Sequence, residues 1–378
     1  MRLLFVHDHK FRYIEGTFYS TGGLNDEILS RYTNLFDEVI VLSRVIEERN
    51  ISIKYSKINN PKVKFVNSKT IKNKEILELI RCADKVIVRL PCFNGIKVLP
   101  KCRRLGINYL IEMVACPWDS LWNYDFRGKI IAPFIYLFNK QEIKKAPNVL
   151  YVTKYFLQKR YPNKNGNIID CSDVSLENTT EDIIKNNFQK NKIITIGTLA
   201  AVDVKYKGQL RVIKALALLK KKGFNNYRYY LAGNGNKEFL LRKATQLGVE
   251  NQVFFDGGIP HEQIATWFDK IDIYIQPSLQ EGLPRSLLEA MNYGLPCLGA
   301  TTGGIPELLD SKYLFKNSYS CHKQIAILLE SLDKQSLIDN SRRNFTVAKE
   351  YSNDVLEQKR NKFYKDFCLQ KKWINKSK

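Results

Sequence analysis

With 378 residues the chain is too long for one small domain, and its 44% hydrophobic and 26% charged content describes a folded protein with sizeable cores, not a disordered one. No run approaches the roughly 20 consecutive apolar residues of a membrane-spanning helix, which excludes an integral membrane class. The formal charge of +22 fits nucleic acid, an anionic membrane surface or a merely lysine-rich composition; it is spread along the chain with no arginine-rich arm, which disfavours nucleic acid.

The N-terminus, Leu3 to His7 followed by Asp8, turns polar too soon for a signal-peptide core and reads as a first buried strand. The eight cysteines form no C-x-x-C pair, and several sit inside apolar runs. They read as free thiols of a reducing compartment, so the expected location is the cytoplasm, at the inner face of its membrane if the charge serves a lipid surface. Ser20-Thr21-Gly22-Gly23 forms a turn before a helix starting near Asn25. Further strands are expected at Val39 to Ser43, Val63 to Asn67, Val86 to Leu90, Tyr109 to Val114 and Val149 to Thr153. Arg89 and Glu112-Met113-Val114-Ala115-Cys116-Pro117-Trp118-Asp119 fall where the fourth and fifth strands end. The basic and aromatic stretch Arg127 to Lys140 reads either as a helix lying on a membrane or as a buried helix kinked at Pro133.

A polar stretch, Glu177 to Lys192, separates this half from a second series of strands. These are Ile193 to Gly197, Arg228 to Ala232, Val253 to Asp256, Ile271 to Gln276, Pro296 to Gly299 and Tyr313 to Phe315. Continuous apolar strands alternating with helices imply parallel sheets covered on both faces. The expected organisation is a domain over 1–175, a second over 185–345, and a tail over 346–378. The tail would pack through Val355, Phe363, Phe367 and Trp373 and cross back to the first domain. Two such domains would face each other across a cleft at the carboxyl ends of their strands, where open α/β sheets bind ligands.

The sharpest signal runs from Pro277 to Pro296. A strand ends, Gly282 and Pro284 precede a helix, and Gly294 and Pro296 stop it. A helix N-terminus after such a loop suits a diphosphate. Glu281 and Glu289 lie on either side of that end; eight helical residues span roughly 12 Å. Each carboxylate can grip a vicinal diol, so one suits a sugar and the other a ribose.

This segment resembles the Glu-x7-Glu signature of retaining glycosyltransferases of the GT-B fold, the family 4 class or glycosyl transferases group 1. Glu-Gly-Leu-Pro-Arg is similar to the form found in bacterial capsular and exopolysaccharide enzymes. The resemblance implies an α/β fold of two Rossmann-like domains facing a central cleft, with Glu281 on the donor sugar and Glu289 on the ribose. Many relatives have Gly-Phe-Gly after the first Glu, so Leu283-Pro284-Arg285 is a departure, which leaves the phosphate contacts of Gly282 to Arg285 open. Lys205-Tyr206-Lys207-Gly208 resembles the loop that holds the donor diphosphate, with Lys207 in that role. Thr198 stands in place of a customary arginine, so one cation is missing or is supplied elsewhere, by Lys205 or Arg285. Leu231 to Gly235, Phe255 to His261 and Thr301 to Glu307 also match, and Gly22-Gly23 resembles the paired-glycine loop of the first domain. Many relatives place a histidine near residue 119; here Asp119 and Glu112 are the candidates for the acceptor-side catalytic group. The implied donor is a nucleotide sugar, and the implied acceptor a glycan or polyprenyl-diphosphate-linked glycan. No Asp-x-Asp occurs, so neither a metal nor another cofactor is expected, and nucleic acid is not expected as a partner. A non-catalytic glycan-binding or regulatory subunit on the same fold is the alternative.

Overall fold

The apolar runs become two sheets with parallel bodies, one in each of two units of the chain. In this computed structural model residues 1–50, 52, 55–123, 125–184 and 193–370 are described. Met1–Cys171 with Gln358–Lys378 form one unit and Ser172–Glu357 the other. Part of the expected boundary stretch, 185–192, and Trp373 lie outside the described residues. The cysteines are free thiols.

In the first unit, β1 (Arg2–Ile14), β2 (Thr17–Ser20), β3 (Glu38–Glu47), β4 (Ser56–Lys57), β5 (Val63–Asn67), β6 (Lys85–Leu90), β7 (Tyr109–Met113), β8 (Asn148–Tyr151) and β9 (Asn167–Asp170) make one sheet. Its parallel body runs β5-β3-β1-β6-β7-β8-β9. β1 is longer than the five residues expected. After a register shift between Val6 and Lys10 it continues beside β3, then turns at Glu15-Gly16 and pairs antiparallel with β2. Both turn residues have positive φ, 45° and 81°, as a tight two-residue hairpin of type I′ geometry requires.

The helix Asn353–Leu369 joins this unit from Gln358 onward. Of the residues expected to pack, Phe367 is buried and Phe363 half-buried, while Val355 is exposed; Arg360 and Tyr364 are buried on the same helix at helical spacing from Phe367. Lys359 pairs with Asp170 at 2.8 Å, and Gln370 hydrogen-bonds with Asn148 and Asn108.

The second unit holds β10 (Ile194–Leu199), β11 (Tyr227–Ala232), β12 (Val253–Gly257), β13 (Ile273–Gln276), β14 (Cys297–Ala300) and β15 (Leu314–Phe315), ordered β12-β11-β10-β13-β14-β15. Every pairing is parallel. Val212, Ile213, Leu216 and Leu219 of the helix Gln209–Lys221 pack into the core with Ile196, Tyr229 and Ile275. The chain leaves β10 toward β11 on one side and returns as β13 on the other. The order therefore reverses between β10 and β13, the switch point at which such sheets bind ligands.

Candidate functional site

Three loops of the second unit meet at that switch point, locked through backbone. The turn Lys205–Lys207 after β10 ends in Gly208, whose φ is 80°. A Cβ there would lie 2.0 Å from the Pro277 carbonyl oxygen, so only glycine lets the two loops touch. Leu279 donates its N–H to the Tyr206 carbonyl at 2.7 Å. On the other side Gly304 donates to the Gly282 carbonyl at 2.7 Å, and a Cβ on Gly303 would meet the Glu281 carbonyl at 2.2 Å. The Glu281-Gly282 backbone is thus held against the loop that follows β14.

This lock fixes Lys207 and Glu281. The Lys207 ammonium donates to Glu281 Oε1 at 2.8 Å, with both side chains largely covered. Gln276, at the end of β13 and 1% exposed, donates to the same oxygen at 3.2 Å and to Ser278 Oγ at 2.9 Å. Its own Oε1 accepts from Tyr274 at 2.9 Å and from Ser286 at 3.3 Å. Gly282 is partly covered and Leu283 buried. Pro284 is the N-cap of the helix Arg285–Asn292 and supplies no side-chain cap. The amides of Arg285, Ser286 and Leu287 therefore lack an intrahelical acceptor, and the positive end of the helix dipole lies beside the Lys207–Glu281 pair. Arg285 is exposed at that end. Lys205 is exposed too, but its ammonium lies over the Phe239 ring. It lines a cavity of about 530 Å³ with Asp203, Asn236, Glu238 and Arg242, which does not include Lys207 or Glu281.

Glu289 sits in the second turn of the same helix, in a recess with Glu177, His261, Asn292 and Tyr293. Burial pushes its carboxyl up from the usual 4.5; Arg285 and His261 pull it back, and Glu177 adds to the rise. A raised carboxyl binds its proton more tightly folded than unfolded. Its ionisation therefore costs stability as pH climbs past the unfolded value, and the cost is absent below it. Glu289→Gln is accordingly expected to melt higher than the parent at pH 7, by about 2–4 °C for each kcal/mol relieved. The two melting points should converge as pH falls below 4.5. Calorimetry at pH 7 and pH 4 checks this; a variant that melts lower at pH 7 contradicts it.

In the first unit, Gly22 and Gly23 are exposed, ahead of the helix Asp26–Thr33 that Asn25 caps by accepting from the Ile28 N–H at 3.1 Å. Ser20 Oγ, beside that loop, hydrogen-bonds His9 Nε2 at 3.0 Å. Burial, with Arg44 and Arg12 nearby, pushes His9 down to about 4, so it is neutral at pH 7. Nothing in the sequence pattern sets His9 apart. Gln276 had one signal: Tyr274, Gln276 and Ser278 alternate onto one side of a strand end, an unusual polar set in an apolar run.

Glu112 requires a correction. It is 1% exposed and accepts from Tyr32 at 2.9 Å, Tyr364 at 2.6 Å and Arg89 at 2.8 Å. That is an internal anchor joining β6, β7, the helix Asp26–Thr33 and the C-terminal helix, out of reach of a substrate; Arg89 likewise serves an ion pair inside the unit. Asp119, in the short helix Pro117–Trp122, has both oxygens on Arg160 Nη1 at 3.0 and 3.1 Å. It is partly exposed and ion-paired, not an isolated carboxylate.

The sequence pattern of the glycosyl transferases group 1 family matches residues 178–348, the segment that carries Lys207, Glu281 and Glu289. Protein CapJ of Staphylococcus aureus is 32% identical over 377 residues, covering 96% of this chain and 90% of its own. The amylovoran biosynthesis glycosyltransferase AmsK of Erwinia amylovora is 37% identical over 111 residues, covering 28% of this chain and 27% of its own. Among solved structures, HepE of Anabaena in complex with UDP superposes with a TM-score of 0.64 at 14% identity, over 97% of this chain and all of that one; the likeness is one of fold, GT-B. The chain belongs to the glycosyl transferases group 1.

Proposed function

We propose that this chain transfers a sugar from a nucleoside-diphosphate sugar to a hydroxyl of a glycan or polyprenyl-diphosphate-linked glycan, with retention of configuration and without a metal. The setting is the cytoplasm, in the building of a bacterial surface polysaccharide such as capsule, exopolysaccharide or O-antigen. The observation that carries this reading is the Lys207 ammonium on the Glu281 carboxylate beside a helix start without a side-chain cap, at the switch point of the sheet. That HepE is described with UDP and AmsK as an amylovoran biosynthesis enzyme supports the donor class and the pathway class.

In this reading Lys207 and the amides of Arg285 to Leu287 offset charge as the diphosphate departs. Glu281 grips a sugar hydroxyl and Glu289 the ribose diol. The acceptor attacks on the face from which the diphosphate leaves, and a departing phosphate oxygen takes its proton. Glu281→Ala is expected to lower kcat by about 10–100-fold, the worth of a hydrogen bond to a charged group. Glu289→Ala should chiefly raise the donor KM, by about tenfold. The experiment follows hydrolysis and transfer of labelled UDP- and GDP-sugars, with and without EDTA. Turnover that persists in EDTA and splits in this way between the two variants supports the reading. No turnover of any donor, or both variants working as well as the parent, overturns it; loss in EDTA with recovery on adding Mg²⁺ overturns the metal-free part alone.

A further inference from the structure

The helix Phe126–Lys145 runs unbroken through Pro133 and turns an apolar stripe outward. Phe126 is 76% exposed, Ile130 56%, Phe134 71% and Leu137 55%. At about 100° per residue these four fall within about 80° of arc. The opposite side, with Gly128, Ala132, Asn139 and Ile143, is buried. Lys129 and Lys140 border the stripe on one side, Arg127 and Lys145 on the other, and Lys144 extends it. The helix contains one acid, Glu142, which is buried and paired with Arg103. A solvent face that joins large apolar side chains to an uninterrupted set of cations matches a membrane surface: acyl chains below, anionic headgroups above. Among the described residues no helix is long and apolar enough to cross a membrane, so this helix would lie in the interface.

We propose that this face docks the protein onto an anionic lipid surface, where a lipid-linked acceptor resides. The surface belongs to the first unit and the donor site to the second, and its test needs no catalysis. The full-length chain is floated with vesicles of phosphatidylcholine alone and of phosphatidylcholine with phosphatidylglycerol, at low and at molar salt. The parent is expected to float with the anionic vesicles and much less with the neutral ones. The double variant Phe126→Ser, Phe134→Ser should lose about tenfold or more of that partition while its melting temperature holds, because both rings are already in water. Arg127→Gln with Lys129→Gln should weaken binding and flatten its salt dependence. Failure of the parent to float, or undiminished flotation of the serine variant, overturns the proposal. So does a change from dimer to monomer in the serine variant, which would make the stripe a self-association face.

A separate observation carries a second inference, which rests on the proposed role of Glu281. Gln276 is buried, and its amide touches four side chains at the switch point: Tyr274 and Ser286 on its oxygen, Ser278 and Glu281 on its nitrogen. The geometry points to Gln276 as a positioning residue that fixes the Glu281 carboxylate relative to the helix start at Ser286. Gln276→Met keeps the length and removes the hydrogen bonds. It is expected to lower kcat by about tenfold, the cost of losing such a bond to a carboxylate, with donor KM and nucleotide binding nearly unchanged. Gln276→Glu places a second carboxylate beside Glu281 and should shift the acid limb of the pH–rate profile upward. If Gln276→Met binds nucleotide normally and turns over like the parent, the positioning role is wrong. If Glu281→Ala also turns over like the parent, the role of Glu281 fails instead.

Discussion

Lys207→Ala is expected to reduce kcat/KM for the donor by about 10²–10³-fold, the range for removing one preorganised group that stabilises charge in a transition state. Lys207 stands 2.8 Å from Glu281, in a turn held by Gly208 against Pro277, so its ammonium is placed before any ligand arrives and needs little reorganisation. The same change leaves a largely covered carboxylate without its cation, yet the pair keeps some solvent contact. The stability loss should therefore be small, about 1 kcal/mol. Lys207→Arg retains charge, but a planar fork does not reproduce a compact ammonium and should recover only part of the activity. Donor kinetics alongside thermal melts separate the two effects. A Lys207→Ala enzyme within about twofold of the parent would contradict the diphosphate role assigned on electrostatic grounds.

Glu112→Ala should have the largest effect on stability. It takes the shared acceptor from Arg89, Tyr32 and Tyr364 together, inside a unit where water cannot replace it. Removing one partner of a buried ion pair costs about 3–5 kcal/mol, or a fall in melting temperature of roughly 10 °C. Loss of the C-terminal helix from its place should follow, since Tyr364 lies on it. Limited proteolysis with mass spectrometry would show earlier cleavage between Asn353 and Leu369 in the variant. Unchanged melting and cleavage would mean that Glu112 is not the anchor its geometry describes.

The parallel strands are visible in the sequence because burial on both faces leaves continuous apolar runs such as Val39 to Ser43 and Ile273 to Gln276. The hairpin of β1 and β2 is harder to see. In Lys10-Phe11-Arg12-Tyr13-Ile14 charged and apolar residues intermingle, and only Glu15-Gly16 marks the turn. β9 is two isoleucines in a polar stretch, given its identity by pairing with β8. At the site, Glu281, Glu289 and Lys207 stand out because spacing and neighbouring glycines mark them. Glu112 misleads for a physical reason: a carboxylate near a strand end looks ligand-facing, and the tyrosines that satisfy it lie 80 and 252 residues away. Gln276 likewise acquires meaning only once Ser286 and Glu281 have folded around it.

The proposed donor site is the switch point of the second sheet, where Lys207 and the carboxylates of Glu281 and Glu289 would hold a nucleoside-diphosphate sugar. Titration calorimetry of the full chain against UDP- and GDP-sugars tests it most directly, with Lys207→Ala and Glu289→Ala measured alongside. One nucleotide class is predicted to bind with one-to-one stoichiometry and to lose about tenfold or more in affinity in each variant. Binding of no nucleotide sugar, or equal affinity in parent and variants, would rule this site out.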